Sequence, residues 1–277
     1  MTEPALSSPA ARPPIWDALV SPLRAVEVRA WLVPAGNRAQ ALSDRGPQGE
    51  SMLHWAALSD MGLVLDLLAI GLEPNPVDQR GRTPVDWQFE RLWATHEAGI
   101  GNLTALNLRK LRLQSDDLVA TLWRQGGRPA SCPVDVRPLA MRCGLWQTLH
   151  AWRDLDPNAW DDWESSSALH AWPAAPAEKG RQDFLEIWRR EGRPIDGLDK
   201  DGRTPLWWAV EERLRSDGKA RLAAQAAVQD LIGAGADPSI EDREGVSPMA
   251  LPLLRGADDV TLAFLTALME NGTPPAG

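Results

Sequence analysis

The 277-residue chain has no tyrosine, only three phenylalanines and only two cysteines, although it carries 14 tryptophans. The cysteines, Cys132 and Cys143, form neither a CxxC pair nor a spacing typical of metal ligands. The sequence therefore predicts neither a disulfide framework nor a zinc site. Cysteines that stay in the thiol form are typical of the reducing cytoplasm, so we expect a cytoplasmic protein.

Long apolar runs and a secretion signal are also missing from the sequence. No stretch approaches the roughly 18 uninterrupted apolar residues that a membrane span requires. The first residues, MTEPALSSPAARPPIW, do not show a cationic segment followed by an apolar one, as a signal peptide would. We expect no membrane contact and no signal peptide.

Positive charge is in deficit. The chain has 29 Lys plus Arg and 38 Asp plus Glu, which gives a net charge of -9. A surface of that sign repels the phosphates of nucleic acids, so we predict no nucleic-acid partner. It attracts basic proteins instead, and we predict a protein partner with a basic surface.

The familiar sequence motifs of catalysis and cofactor binding are absent as well. The chain contains no G-x-G-x-x-G, no P-loop, no H-E-x-x-H and no G-x-S-x-G. Its four histidines are scattered along the sequence. We therefore predict no catalytic residue, no cofactor and no metal ligand, and we interpret the chain as non-enzymatic.

What the sequence does contain is a repeated pattern. Five segments share a Gly or Ser, one further residue, a Ser or Thr, a position often occupied by Pro, and an apolar residue. In this pattern Gly allows a tight turn, the hydroxyl caps a helix N-terminus, and Pro occupies the first helical position. The hydroxyl residues are Ser51, Thr83, Ser167, Thr204 and Ser247.

A second helix follows each of these starts and ends at a glycine. Apolar residues recur in it at three- and four-residue steps, as one buried face requires. The predicted segments are Leu63–Asn75, Asp117–Pro129, Phe184–Asp196, Ala227–Ser239 and Thr261–Gly272. The glycines predicted to adopt the left-handed helix cap are Gly71, Gly126, Gly192, Gly235 and Gly272.

These segments resemble ankyrin repeats, whose signature is roughly D-x-x-G-x-T-P-L-H-x-A in a period of about 33 residues. The best matches are DQRGRTP at Asp78–Pro84 and DKDGRTPLWWA at Asp199–Ala209. The resemblance implies an all-α ankyrin-repeat solenoid of stacked helix-turn-helix units with short hairpin or loop fingers. It also implies that His54 and His170 are buried and bond backbone groups between repeats.

The resemblance suggests a division of the chain into an arm, a cap and a repeat array. Residues 1–13 are expected to be a disordered arm, residues 14–46 a degenerate N-terminal helical cap, and residues 47–272 the array. The cap would contain helices at Pro14–Val20 and Pro22–Leu32. Insertions are expected near residues 94–114 and 211–224. A further repeat at Val134–Asn158 has an ambiguous register.

Most tryptophans are predicted to be structural. Trp55, Trp87 and Trp208 occupy a position that is typically apolar and buried in ankyrin repeats, so we predict a stack of core indoles, with Trp207 at the border of the concave face. The indoles on outer helices, also predicted to be core, are Trp123, Trp146, Trp152 and Trp188.

Trp160 and Trp163 differ because they lie in a predicted finger among acidic residues. Two interpretations stand for them. Their rings are either exposed contacts for a basic partner or are folded inward and buried.

The resemblance implies a non-catalytic protein-binding module that uses the concave face and the fingers of the solenoid. We predict a bacterial immunity or regulatory protein, monomeric when unbound, that masks a basic partner. The alternative is a host-directed bacterial effector, and an enzyme would need a further domain for which the repeats leave no room. The predicted partner-binding residues are Gln48, Glu50, Gln79, Arg80, Arg82, Trp160, Trp163, Glu164, Lys200, Asp201, Arg203, Arg243 and Glu244.

Overall fold

A computed structural model describes residues 24–97, 104–131, 136–155, 168–176 and 179–271. These residues form helices and turns and contain no β-strand. The chain divides into two compact units, Met1–Val134 and Asp135–Gly277. The predicted arm, the predicted helix Pro14–Val20 and Ser167 lie outside the described residues.

The first unit contains six α-helices and one π-helical turn among its described residues. They are α1 (Ala25–Leu32), α2 (Ala35–Ser43), α3 (Met52–Ser59), α4 (Met61–Ala69), α5 (Pro84–Leu92), the π-helical turn Trp93–Glu97 and α6 (Ala105–Arg124). Helix α3 packs against α4 and α5, and α4 packs against α6. Helices α3 and α4 therefore contact each other and also a helix of the next pair, as stacked repeats do.

The described part of the second unit continues the same alternation. Its elements are α7 (Val136–Cys143), α8 (Trp146–Leu155), the 3₁₀ helix Ala168–Ala174, α9 (Lys179–Arg190), α10 (Pro205–Arg215), α11 (Gly218–Gly233), α12 (Leu251–Leu254) and α13 (Asp259–Asn271). The 3₁₀ helix takes the place of a first repeat helix and packs against α7 and α10. Pro173 lies inside it, and a proline removes a backbone donor that an α-helix would need.

The predicted hydroxyl caps are confirmed at Ser51, Thr83 and Thr204, whereas Ser247 closes a turn and caps no helix, because α12 begins only at Leu251, with Ala250 as its N-cap. Thr83 Oγ1 accepts from the Asp86 backbone N–H, Thr204 Oγ1 accepts from the Trp207 N–H, and Ser247 Oγ accepts from the Ala250 N–H. At Ser51 the backbone N–H donates to Nδ1 of His54, which completes a capping box. Local side-chain chemistry therefore sets these helix starts.

The predicted glycine caps are confirmed at four of the five positions, and the fifth, Gly272, lies outside the described residues. The φ angles are 101° at Gly71, 89° at Gly126, 68° at Gly192 and 95° at Gly235. This left-handed backbone region is open to glycine at no steric cost. Each of these glycines ends the second helix of a repeat.

The start of α6 differs from the sequence prediction. The helix begins at Ala105, where Thr104 Oγ1 accepts from the Asn107 N–H, and not at Asp117. Ser115 and Asp116 are buried in the middle of the helix. Ser115 Oγ donates to Gln88 Oε1 at 3.0 Å, so this buried hydroxyl makes a contact with α5.

Several predicted core tryptophans form an aromatic cluster in the second unit. Trp146, Trp152 and Trp188 are buried, which confirms their prediction. The rings of Trp146, Trp172 and Phe184 lie with centroids about 6 Å apart, and Phe184 stacks on Trp188. Such pairs add to the apolar burial that holds the repeats together.

Trp123 does not belong to this buried set. It is only half-buried, and the guanidinium of Arg128 lies 4.5 Å from its ring centroid. The prediction of a core position is therefore wrong for this residue, because its indole lies near the surface beside an exposed arginine.

Candidate functional site

The predicted fingers are tight turns with one shared hydrogen-bond pattern. In the turn Asp78–Arg82, the Asp78 N–H donates to the Arg82 carbonyl and the Gly81 N–H donates to the Asp78 carbonyl. The turns Asp199–Arg203 and Asp242–Val246 repeat both bonds. Glycine is required at the fourth position, where φ is 76° in Gly81 and 78° in Gly202.

The side chain of the first aspartate in each finger turn accepts hydrogen bonds from backbone N–H groups of the same turn. Asp78 Oδ1 accepts from the backbone N–H of Arg80 at 2.8 Å and of Arg82 at 3.0 Å. Asp199 and Asp242 accept the equivalent pairs, all at 2.9 Å. A short carboxylate that bonds the following backbone N–H groups is a typical turn device.

A tryptophan nine residues later fixes the turn to the helix that follows it. Trp87 Nε1 donates to Asp78 Oδ2 at 3.0 Å, and Trp208 Nε1 donates to Asp199 Oδ2 at 2.8 Å. In the preceding repeat, Trp55 donates to Glu50 at 3.3 Å. Sequence reasoning missed these bonds, although the D-x₈-W spacing in the two best-matching repeats is a usable signal for them.

The carboxylates of Asp78 and Asp199 are held in the ionised form. Burial opposes ionisation of Asp78, but hydrogen bonds from Arg82 and Trp87 outweigh it and lower the pKa of this carboxyl below its ordinary value. The pKa of Asp199 is also lowered, because bonds from Trp208 and from backbone N–H groups outweigh its burial. A buried anion that accepts several hydrogen bonds contributes stability only while it remains charged.

Neighbouring finger turns within one unit are bonded to each other. In the first unit the Gln79 N–H donates to the Gln48 carbonyl at 2.7 Å. In the second unit the Arg243 N–H donates to the Asp201 carbonyl at 3.1 Å. Every backbone N–H from Asp78 to Arg82, and from Asp242 to Val246, therefore has an acceptor.

His54 and His170 contact backbone carbonyls of the finger turns, as predicted. His54 Nδ1 accepts from Ser51, so its Nε2 carries the proton and donates to the Arg82 carbonyl at 2.9 Å. His170 Nε2 lies 3.0 Å from the Arg203 carbonyl. The predicted backbone bonds are confirmed for both. Burial is confirmed only for His54, because His170 is half-buried.

The predicted stack of core indoles at Trp55, Trp87 and Trp208 is wrong, and the expectation for Trp207 is reversed. Trp207 is buried with 3% exposure, whereas Trp208 is half-buried. The polar N–H of Trp208 must reach the Asp199 carboxylate, which keeps that ring at the edge of the helix. Trp55 and Trp87 are also half-buried, and their rings meet edge to face at 5.2 Å.

Arginines from the fingers cover these indoles. The Arg82 guanidinium lies 5.4 Å from the Trp87 ring centroid. Arg203 lies 4.3 Å from the Trp207 ring and 5.2 Å from the Trp208 ring. Cation–π contacts of this kind hold the arginine against the indole, so charged and aromatic groups lie side by side next to the turns.

The described partner-binding candidates divide by exposure. Arg82, Asp201 and Arg203 are half-buried, and the exposed residues are Gln48, Gln79, Arg80, Lys200, Arg243 and Glu244. Trp160, Trp163 and Glu164 lie outside the described residues.

Glu50 corrects the sequence prediction. Its side chain is buried, and it accepts from the Gln48 N–H and from Trp55. It therefore supports the turn and does not reach a partner.

Within the residues that the structure describes, no group of three or more His, Cys, Asp or Glu side chains is arranged to hold a metal ion. None of the described helices combines the length and the apolar character that crossing a bilayer demands. The finger turns and the indoles beside them are one candidate for molecular recognition in this part of the chain.

Comparison with solved structures identifies a likeness over nearly the whole chain. The human ASB11 ankyrin repeat domain matches with a TM-score of 0.56 and 19% sequence identity, over 96% of this chain and 100% of that chain. The ankyrin repeat protein EF0377 matches at 22% identity with a TM-score of 0.49, over 78% of this chain and 96% of that chain. No protein-family model and no curated protein sequence matches this chain.

Proposed function

Because the chain has the ankyrin-repeat fold, we propose that it is a non-catalytic, protein-binding module whose finger turns contact the partner. The proposed contact residues, which we together call the finger surface, are Gln48, Gln79 and Arg80 in the first unit and Lys200, Arg243 and Glu244 in the second. The half-buried indoles Trp55, Trp87 and Trp208 adjoin it. We place Trp160, Trp163 and Glu164 in the same surface on the sequence pattern alone.

The observation that supports this proposal is the separation of backbone and side-chain roles in the fingers. The backbone N–H groups of the turns are bonded internally, whereas the side chains of Arg80, Lys200 and Arg243 are exposed. A surface of this kind is formed before binding, so little ordering entropy is lost when a partner docks.

The net charge of -9 supports a basic partner, because it favours the approach of a positively charged protein. The finger surface itself carries exposed cations beside Glu244. We therefore propose a partner that is basic overall and presents carboxylates where it meets the fingers. A cytoplasmic immunity or regulatory protein that masks such a partner fits this charge distribution.

A charge-matched pair of variants tests the finger surface. In the finger variant, Arg80→Ala, Lys200→Ala and Arg243→Ala remove three exposed cations. The control variant, with Arg38→Ala, Arg124→Ala and Arg190→Ala, removes three exposed cations from α2, α6 and α9. Both variants have the same net charge, so a difference between them reports position only.

Each protein is immobilised and used to capture partners from an extract of the cells that produce it. We expect one main captured protein, with a basic isoelectric point and with binding that weakens as salt rises. The finger variant should weaken this binding by about tenfold or more, and the control should stay within about twofold. Equal losses in both variants, or no loss in either, would overturn the proposal.

A further inference from the structure

The second unit also contains a pocket lined by arginines, none of which belongs to a finger turn. Its volume is about 360 Å³, which lies at the lower end of the range for small-ligand sites. The pocket is formed where α10 ends, α11 begins, and the chain passes from α12 into α13. The arginines that line it are Arg213, Arg215, Arg221 and Arg255.

Positive charge exceeds negative charge at this pocket. The four guanidinium groups face one lining carboxylate, Asp258, and a second, Glu211, which lies 3.0 Å from Arg255 and 4.0 Å from Arg215. This local excess is opposite in sign to the net charge of the chain, -9. A cleft lined by one sign of charge concentrates ions of the other sign.

Two of the pocket arginines donate hydrogen bonds to neighbouring side chains, which hold them in place. Arg221 Nη2 donates to Thr261 Oγ1 at 2.9 Å, and Arg255 Nε donates to Glu211 Oε2. Glu211 is itself buried. A guanidinium group fixed in this way still has further N–H donors, because each arginine carries five.

Arg213 lies deepest, with only 7% of the residue exposed. Burial lowers the pKa of its guanidinium, the neighbouring Arg221 lowers it further, and Asp258 acts in the opposite sense. An anion in the pocket would relieve the repulsion between Arg213 and Arg221. The Asp258 carboxylate accepts from the Thr261 N–H at 2.7 Å and caps α13, so one of its oxygens is engaged in a structural hydrogen bond.

We propose that this pocket binds a phosphate monoester through Arg213, Arg221 and Arg255. Arginine matches the planar, bidentate geometry of phosphate oxygens, and these charge-assisted bonds are the strong ones. The dianion comes either from a small phosphorylated metabolite or from a phosphorylated side chain, which present the same chemistry. The proposal does not depend on the finger surface.

Isothermal titration of the full chain with O-phosphoserine and with inorganic phosphate, at constant ionic strength, tests this site. We expect at least one probe to bind saturably with a dissociation constant below about 10 mM. Chloride should give no saturable binding. Tighter binding of O-phosphoserine would indicate that the site accepts an esterified phosphate. Equal binding would indicate that the site recognises the phosphate group alone and accepts the monoester through it, so both results support the proposal.

Arg221→Gln and Arg255→Gln each remove a pocket charge at a residue that is not fully buried, so the fold should persist. Each is expected to weaken binding by about tenfold. The control Arg190→Gln removes an exposed cation of α9, outside the pocket, and should stay within about twofold. No saturable binding by the parent chain, or equal affinity in the pocket and control variants, would overturn the proposal.

Discussion

Two adjacent tryptophans on α10 show how single residues divide their tasks. Trp207 packs in the interior with 3% exposure, while Trp208 uses its indole N–H to hold the Asp199 carboxylate of the finger turn. One helix position therefore contributes mainly apolar burial, and the next contributes a polar bond to the turn.

We predict that Trp207→Ala destabilises the chain more than Trp208→Ala does. Removal of the buried ring leaves a cavity and should cost about 3–5 kcal/mol. Loss of the half-buried ring and its hydrogen bond should cost about 1–3 kcal/mol. Urea unfolding followed by circular dichroism measures both. A larger loss for Trp208→Ala would contradict the assignment.

His54, which is buried, and His150, which is half-buried, predict how stability depends on pH. Burial lowers the pKa of His54 and of His150 below the ordinary value of 6.5. The folded chain therefore resists protonation at these sites, whereas the unfolded chain accepts protons near pH 6.5. Their contribution is fully present above that pH and is lost as the pH falls below it.

We expect the free energy of unfolding to decrease as the pH falls from about 7.5 to about 5.5, by up to about 1 kcal/mol per pH unit for each histidine. His54→Gln should reduce this slope, because the side chain no longer titrates. Urea unfolding across the pH series measures the slope. A stability that rises on acidification, or an unchanged slope in the variant, would count against the prediction.

At the scale of elements, the repeats of the first unit are joined by polar side chains that satisfy helix ends. The C-terminal carbonyls of α3 accept from the next repeats: Gln88 donates to Ala57, Arg91 donates to Leu58, and Gln114 donates to Ser59. Helix ends leave carbonyls without intrahelical partners. These bonds therefore join neighbouring repeats and also satisfy the carbonyls at the end of α3.

Gln88→Ala is predicted to cost about 1–3 kcal/mol, because it removes the bond to Ala57 and leaves the buried Ser115 hydroxyl without its acceptor. The control Gln125→Ala changes an exposed glutamine just after α6 and should have a negligible effect. Thermal and urea unfolding of both variants provide the comparison. Similar losses in the two variants would show that the Gln88 bonds do not stabilise the stack.

Helix starts and ends could be predicted where they depend on local chemistry. Thr83 and Thr204 cap helices, and Gly71 and Gly235 end them, because these residues act within one turn of the chain. The predicted start at Asp117 is wrong, because the residues before it already lie inside α6, where Ser115 bonds Gln88, 27 residues earlier. Tertiary contacts decide such cases, and a single sequence does not display them.

At the scale of the whole molecule, charge is distributed differently from the average that the sequence reports. The composition predicts an acidic chain, yet exposed cations mark the finger turns and four arginines line one pocket. The fingers could be predicted, because each is a contiguous repeat segment. The pocket could not, because Arg213, Arg221 and Arg255 are separated in sequence and meet only through helix packing.

Amide hydrogen exchange on the full chain tests the central claim, that the finger turns are rigid before a partner binds. The N–H groups of Gln79, Arg82, Arg203 and Arg243 each have an acceptor inside the protein. We predict that they exchange at least about 100-fold more slowly than in an unstructured peptide. Asp78→Ala should remove this protection at Arg82 while leaving Arg243 protected. Exchange of the four amides at unstructured rates in the parent chain would contradict the account.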